Sequence, residues 1–151
     1  MAAGGFYVMR HFERGENPEF STNLTTRGHK RARELFVPGV ERIVSSPFQR
    51  CLQSSKLFAG TIGTKVHIAC ALSEYIDDTR HGIAFETKEQ MHRRVHEFIE
   101  ADKEHRSKCT LYVTHGSIAE VLINEHFDYG DIRWVTPTRL EFPGSTGSAL
   151  D

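Results

Sequence analysis

Phe6-Tyr7-Val8-Met9-Arg10-His11-Phe12 is an apolar run that ends in an arginine and a histidine. A short, continuous apolar run is typical of a buried β-strand. In an open α/β sheet, ligands bind beyond the carboxyl ends of the strands, which places Arg10 and His11 where such folds keep their chemistry. The stretch therefore predicts a functional site that begins directly after a core strand.

Two other predicted strands are followed by polar residues of the same kind. The run 42–46 precedes Pro47, which suits the first turn of a helix and keeps Arg50 near the strand end. The run 109–114 precedes His115 and an apolar helical stretch at 118–123. The three strand ends together offer four polar side chains: Arg10, His11, Arg50 and His115.

The rest of the chain alternates helical and strand patterns. Predicted helices run from a cap at Thr25 or Thr26 to residue 36, from 48 to 59 and from 87 to 103, with further strands at 66–69 and 139–142. This alternation predicts a three-layer α/β fold, in which a mostly parallel central sheet has helices on both faces. We expect a single domain over residues 1–143 and a disordered polar tail over residues 144–151.

Composition argues against several classes of protein. The net charge is −1 and the basic residues are scattered, which argues against a nucleic-acid-binding surface. The three cysteines (Cys51, Cys70 and Cys109) have no C-x-x-C spacing, so neither a disulfide framework nor a structural zinc site is indicated. The sequence shows neither a signal-peptide pattern nor a membrane-spanning apolar run. We therefore expect a cytoplasmic protein with no nucleic-acid partner and no membrane partner.

Other clusters of polar residues have simpler interpretations. His92 and His96 are four residues apart on a predicted helix, but the Arg-Arg-Val between them lacks the glutamate of a zinc protease motif, so we interpret both as solvated. The basic run 29–33 is interpreted as a solvated helix face. Cys51 is interpreted as a helix residue, because the glycine-rich anion loop of a thiol phosphatase is missing around it.

A set of motifs follows in a fixed order along the chain. They are Arg10-His11, Leu24-Thr25-x-x-Gly28-x-x-x-Ala32, Ser45-Ser46-Pro47-Phe48-Gln49-Arg50-x-x-Gln53, Leu72-x-Glu74 and Thr114-His115-Gly116. In these motifs the chain resembles the histidine phosphatase superfamily, also called the phosphoglycerate mutase-like family, from residue 6 to about residue 142. The resemblance implies the phosphoglycerate mutase-like fold and phosphoryl transfer without a metal or other cofactor.

The resemblance also implies a role for His11, as the nucleophile that forms a phosphohistidine. It assigns Arg10, Arg50 and His115 to the phosphate pocket, and the backbone N–H groups of Gly116 and Ser117, at a helix start, can add to that pocket. From the residues alone, nearby guanidinium groups disfavour an imidazolium, so we expect a lowered pKa for His11.

The reaction also needs an acid beside the phosphate, which protonates the leaving oxygen and later takes a proton from water. Glu74 is preferred for this task, because Leu72-x-Glu74 matches the place where many family members keep the residue. Glu13 is the alternative, because Arg-His-x-Glu is also a family pattern. Asn17 stands six residues after His11, as does a phosphate-contacting asparagine in the mutase branch, and is expected to be a further phosphate contact.

Phe12 departs from the family pattern, in which a glycine usually follows Arg-His. Its ring is expected to narrow the pocket, to form an aromatic wall for the substrate, or to mark a protein that binds phosphorylated ligands without turning them over. The short stretch between Glu74 and Thr87 suggests an open pocket that water can reach. We therefore expect a phosphatase acting on a phosphorylated small molecule or a phosphoprotein. A phosphate-binding module and a phosphoglycerate mutase-type phosphotransferase are the alternatives.

Overall fold

The computed structural model describes residues 5–16, 22–35, 37, 39–75 and 86–136 of the chain. Its strands are β1 (Phe6–Arg10), β2 (Arg42–Ser45), β3 (Val66–Ile68), β4 (Thr110–Thr114) and β5 (Ile132–Val135). Its helices are α1 (Thr26–Glu34), α2 (Gln49–Ile62), α3 (Lys88–Asp102) and α4 (Gly116–Ile123). The predicted fold class, an α/β protein built on a mostly parallel sheet, is confirmed.

The strands form one sheet in the order β3-β2-β4-β1-β5. All neighbouring strands run parallel except β5, which pairs antiparallel with β1. In the centre of the sheet, Leu111 lies opposite Tyr7 on one side and Ile43 on the other. Because β1, β2 and β4 are adjacent and parallel, their carboxyl ends meet at one edge of the sheet.

The edge strand β5 is not predicted by the sequence pattern. Three of its four residues are only partly buried, so it shows no clean alternation of buried and exposed positions. Its Trp134 packs edge-on against Tyr7, with 4.9 Å between the ring centroids, as expected for a packing residue. The final strand predicted at 139–142 and the tail predicted at 144–151 lie outside the described residues.

Successive side chains of β1 point to opposite faces of the sheet and pack in two separate hydrophobic cores. Phe6 and Val8 belong to the core between the sheet and helices α3 and α4, whereas Met9 lies in the core shared with α1 and α2. This is the period-2 geometry of a strand that is buried on both faces. Helices on both faces of the sheet are thus confirmed. Among the buried residues that the helices supply are Met91, Val95 and Ile99 from α3 and Cys51 and Phe58 from α2.

Helix α1 packs closely against the chain that follows β1. Its N-cap Thr25 accepts a hydrogen bond from the backbone N–H of Gly28 through its side chain, at 3.0 Å, as the sequence predicts for a cap at Thr25 or Thr26. A Cβ atom on Gly28 would lie 2.4 Å from the carbonyl oxygen of Glu13, so only glycine allows this approach. The first turn of α1 is therefore fixed beside the segment that carries His11.

His96 corrects the interpretation that both histidines of α3 are solvated. Its side chain is 3% exposed and lies beside the backbone of Val121 in α4. Burial, together with the nearby His92, lowers its pKa to about 4, so it is held neutral. The interpretation was wrong because position 96 borders the inward stripe of Val95 and Ile99, and a helix packed against a second helix buries that border as well.

Two further expectations for helix residues, the basic face of α1 and the place of Cys51 on a helix, agree with the structure. The side chains of Lys30, Arg31 and Arg33 on α1 are exposed, as predicted for a solvated basic face. Cys51 lies on α2 and is fully buried, and burial raises the pKa of its thiol. In the described ranges, no helix combines the length and the apolar character needed to cross a lipid bilayer.

Candidate active site

The three adjacent strands β1, β2 and β4 bring the four predicted polar side chains together at their carboxyl ends. His11 follows β1, Arg50 lies in the first turn of α2 after β2, and His115 follows β4. All three are buried, with 2%, 1% and 0% of their surface exposed. The rings of His11 and His115 meet edge to face, with 5.4 Å between their centroids.

His11 is held as a neutral imidazole with one defined tautomer. Its Nδ1 lies 2.7 Å from the carbonyl oxygen of Phe12. Because a carbonyl oxygen can only accept a hydrogen bond, Nδ1 carries the proton and Nε2 keeps its lone pair. Burial lowers the pKa of His11 to about 3, with a further lowering by the charges of Arg50 and Arg10, and the hydrogen bond to Phe12 opposes the shift only in part.

Arg10 is held by the loop 127–131, which follows α4. Its Nη1 donates to the carbonyl oxygen of Phe127 at 2.8 Å, and its guanidinium lies 4.1 Å from the centroid of the Tyr129 ring. The backbone N–H of Gly130 donates to the carbonyl oxygens of Arg10 and His11, at 3.2 and 3.1 Å. The loop therefore fixes the side chain of Arg10 and the backbone that presents His11.

The Ser45–Arg50 segment builds the opposite side of the site. Ser46 Oγ lies 2.9 Å from Nε2 of His115, and the ring of Phe48 meets that imidazole edge-on at 4.8 Å. The guanidinium of Arg50 lies over the same Phe48 ring at 4.9 Å. Burial lowers the pKa of His115 well below its usual range and also lowers the pKa of Arg50. Ser46 and Phe48 thus pack against two of the predicted site residues.

Glu74 joins this group from the segment after β3. Its Oε1 accepts hydrogen bonds from the backbone N–H of Tyr75, at 3.0 Å, and from the hydroxyl of Ser117. Its Oε2 lies 3.7 Å from Nη2 of Arg50 and 3.5 Å from Nδ1 of His115. One carboxylate oxygen is therefore anchored by donors, and the other faces the buried arginine and histidine.

The remaining predicted residues have different positions. Glu13 turns toward the start of α1, where its carboxylate accepts from Thr25 Oγ1 at 2.8 Å and lies 3.4 Å from Nη1 of Arg27. A Cβ atom on Gly116 would lie 3.1 Å from Nε of Arg10, which places this glycine directly beside the pocket arginine. Asn17 lies outside the described residues.

The side chain of Phe12 packs in the hydrophobic core, and its expected role in narrowing the pocket or forming a wall of it stays a prediction. Its ring is fully buried in the core shared with α1 and α2 and stacks on Phe58, with 5.8 Å between the centroids. Its backbone N–H donates to Ser54 Oγ at 3.0 Å, and its φ is not positive. The backbone at position 12 therefore does not require glycine, and the phenylalanine side chain is accommodated in the core.

Three side chains of the site are not predicted by the sequence. Tyr129 lies in a loop without a motif, and nothing in its local pattern distinguishes it. Ser46 lies inside the Ser-Ser-Pro-Phe motif, so the motif was available as a signal. Arg94, whose Nη2 donates to the carbonyl oxygen of Glu74 at 3.3 Å, is one of several basic residues on a predicted helix. No group of three or more possible metal ligands lies among the described residues.

Known proteins and solved structures were compared with this chain. No protein-family model matches the chain, and no curated protein matches it. Among solved structures, the alpha-ribazole phosphatase of Shigella flexneri is 19% identical, with a TM-score of 0.73 over 87% of this chain and 90% of that one. The chain has the histidine phosphatase fold.

Other structures share this histidine phosphatase fold. The phosphoserine phosphatase of Entamoeba histolytica, solved with 3-phosphoglyceric acid, is 16% identical, with a TM-score of 0.68 over 86% of this chain and 89% of that chain. The protein histidine phosphatase SixA, solved with tungstate, is 18% identical, with a TM-score of 0.60 over 87% of each chain. The phosphoglycerate mutase-like architecture expected from the motifs is confirmed at the level of the fold.

Proposed function

We propose that this chain is a phosphatase that hydrolyses phosphate monoesters through a phosphohistidine on His11, without a metal. The observation that carries the proposal is the distance of 2.7 Å between Nδ1 of His11 and the carbonyl oxygen of Phe12, which assigns the ring proton to Nδ1 and leaves the lone pair on Nε2. A histidine attacks phosphorus only through a neutral ring nitrogen. A neutral imidazole beside two arginines is therefore suited to phosphoryl transfer.

The cationic groups supply the electrostatic part of the reaction. A phosphoryl group in transfer spreads negative charge over its equatorial oxygens, and catalysis consists mainly of positioning it and stabilising that charge. Arg10 and Arg50 present planar guanidinium forks that match phosphate oxygens. His115 is buried and held neutral, so it contributes a ring N–H donor without adding an imidazolium to the site. Gly116, which has no Cβ, leaves room for the side chain of Arg10.

Proton transfer is assigned to Glu74, and specifically to its Oε2. Oε1 already accepts from Tyr75 and Ser117, so Oε2 is the oxygen available to exchange a proton. In the first step, Nε2 of His11 bonds to phosphorus, the bond to the leaving oxygen breaks, and Glu74 protonates that oxygen. In the second step, water attacks phosphorus and gives its proton to Glu74, and the N–P bond breaks to release phosphate and neutral His11.

The substrate class is a phosphorylated small molecule or a phosphoprotein. Solved structures of this fold include proteins named as phosphatases of phosphoserine and of alpha-ribazole, and SixA is named as a protein histidine phosphatase. The alternative of a phosphate-binding module rests on Phe12 impairing the pocket, and the burial of that ring in the core removes the reason for it. A mutase-type phosphotransferase would have to retain the phosphohistidine while the substrate reorients.

The test is trapping of the phosphoenzyme with a radiolabelled aryl phosphate and a quench that avoids acid. Wild type should carry an acid-labile label that is missing in His11→Ala. The label should accumulate in Glu74→Gln, because the water step loses its base. Glu13→Gln is the matched control, since it neutralises the other candidate acid, and it should turn over like wild type. Turnover by His11→Ala, or activity abolished by a chelator, would contradict the proposal.

A further inference from the structure

The guanidinium of Arg94 on α3 hydrogen-bonds both the segment that carries Glu74 and the carboxylate of Glu86. Its Nη1 donates to the carbonyl oxygen of Ala71 at 2.7 Å, and its Nη2 donates to the carbonyl oxygen of Glu74 at 3.3 Å. Its Nε and Nη2 also bind the carboxylate of Glu86, at distances from 2.6 to 3.1 Å. A planar fork of donors is required for such a set of contacts, and lysine does not provide one.

These contacts join two parts of the chain that are separate in sequence. Ala71 and Glu74 precede the residues 76–85, and Glu86 follows them. Leu72 lies between Ala71 and Glu74 in the sequence. Its carbonyl oxygen accepts a hydrogen bond from the hydroxyl of Thr114 at 2.7 Å. The backbone that presents Glu74 is therefore held from α3 and from the end of β4.

The Arg94–Glu86 pair is more than a loose surface ion pair. Both side chains are only 24% exposed, and the pairing is bidentate, which sets the orientation of the guanidinium plane. Glu86 thus holds Arg94 in the orientation that its two carbonyl contacts require. The charge of Arg94 also reaches His115, where it contributes to the lowered pKa of that imidazole.

The position of the reactive oxygen of Glu74 depends on this support. Among the described residues, the contacts of Oε2 are long, 3.5 Å to Nδ1 of His115 and 3.7 Å to Nη2 of Arg50, and such distances do not fix it in place. Its location is set by the backbone of residue 74 and by the anchored Oε1. A displacement of a catalytic group by about 1 Å can cost roughly 100-fold in rate.

We propose that Arg94 is the positioning residue for the acid/base Glu74, and that Glu86 holds Arg94 in place for that role. The inference rests on the proposed phosphatase function and deepens it. Arg94 does not itself contact the substrate in this proposal. Its effect on catalysis passes through the placement of one carboxylate oxygen.

The experiment compares two substrates that differ in their need for an acid. With phosphoserine, the leaving group is the serine alkoxide, which must be protonated, whereas with 4-nitrophenyl phosphate it is 4-nitrophenolate, a stabilised anion. The value of kcat/KM for each substrate reports the steps up to transfer of phosphoryl to His11. The ratio of the two values within one protein preparation does not depend on how much of a variant is folded, so partial misfolding does not obscure the result.

We expect Arg94→Ala to lower kcat/KM for phosphoserine by about 100-fold and to change it little for 4-nitrophenyl phosphate. Glu74→Gln should show the same selectivity, and the double variant should lose no more than Glu74→Gln alone, because both changes remove one function. Arg94→Lys should not restore the ratio, and Glu86→Gln should shift it in the same direction but less far. Arg93→Ala, an exposed neighbour on α3, is the control and should match wild type.

Two results would overturn the inference while leaving the phosphatase intact. One is an equal loss on both substrates in Arg94→Ala, which is the behaviour of a residue that supports only the fold. The other is a double variant whose loss is the product of the two single losses. A wild-type protein inactive toward both esters and toward a panel of phosphopeptides would overturn the proposed function, and this inference with it.

Discussion

At the scale of single residues, Phe12 shows how a position can change its residue type and keep its geometry. We predict that Phe12→Gly lowers the free energy of unfolding by at least about 3–5 kcal/mol, the usual cost of removing a buried phenylalanine ring. The ring is fully buried against Phe58, so its loss leaves a cavity. Urea unfolding measures the change, and turnover should not increase.

Phe12→Leu is the matched control for this prediction, because it keeps most of the apolar volume. It should lose much less stability than Phe12→Gly and should keep its activity. Higher turnover in Phe12→Gly at unchanged stability would show instead that the ring obstructs the site.

A second prediction at this scale concerns the protonation of His11. Its pKa is lowered to about 3, so the imidazole should stay neutral with the proton on Nδ1 between pH 8 and pH 5. Nitrogen NMR shifts of labelled histidine, assigned by comparison with His11→Gln, measure this directly. A ring that gains a second proton near pH 6.5 would show that burial and the arginines do not control it.

The sequence pattern was sufficient to predict the site residues at the ends of strands. It was insufficient to predict the residues that reach the site from loops. Arg10 and His115 are predictable because a buried strand has a distinct pattern and its carboxyl end has a known place in α/β sheets. Tyr129 comes from a loop whose path depends on tertiary packing, and no local pattern encodes that path. The direction of the Phe12 ring is unpredictable for the same reason, since it depends on the space that α2 leaves.

At the scale of elements, the start of α1 links a helix cap to the segment beside His11. Thr25 caps α1 through its hydroxyl, and the same hydroxyl donates to the carboxylate of Glu13. We predict that Thr25→Ala costs about 1 kcal/mol of stability, the typical value of an N-cap. Thr26→Ala, at the exposed first position of the helix, should cost less, and thermal unfolding distinguishes the two. Equal losses would mean that the cap hydrogen bond contributes nothing.

Elements with a strong period were predictable, and those without one were not. The period of Met91, Val95 and Ile99 predicts α3 almost to its ends, because one stripe of the helix faces the core. The burial of His96 was missed, because the width of the stripe depends on how closely α4 packs. The edge strand β5 has no alternation to detect, so its place beside β1 emerges only in the folded sheet.

At the scale of the whole molecule, three buried neutral histidines make stability depend on pH. The pKa of His96 is lowered to about 4 and that of His11 to about 3, and the pKa of His115 is also lowered. The unfolded chain therefore binds more protons than the folded one below the ordinary histidine pKa of about 6.5. Stability is fully retained above that pH and is lost as the pH falls from about 6.5 toward 4.

His96→Leu tests this linkage away from the catalytic site. It should reduce the loss of stability between pH 6.5 and pH 4.5 by about 1.4 kcal/mol per pH unit, the value of one differentially bound proton. Urea unfolding at several pH values measures the slope. His67→Leu is the control, because His67 is exposed on β3. Parallel slopes in His96→Leu and wild type would contradict the linkage.

The pairing of β1 has a consequence for how the protein is made. β1 precedes its partners β4 and β5 in the sequence. Tyr7 therefore cannot pair with Leu111, and Phe6 cannot pair with Val135, until the later strands have been synthesised. During synthesis on the ribosome, the apolar run that later presents His11 leaves the exit tunnel with both edges open to other chains. Folding should be slow, because the contacts that complete the sheet are far apart in sequence. Recombinant yield should therefore depend on temperature and chaperone supply, with aggregation nucleated at the strand that precedes His11.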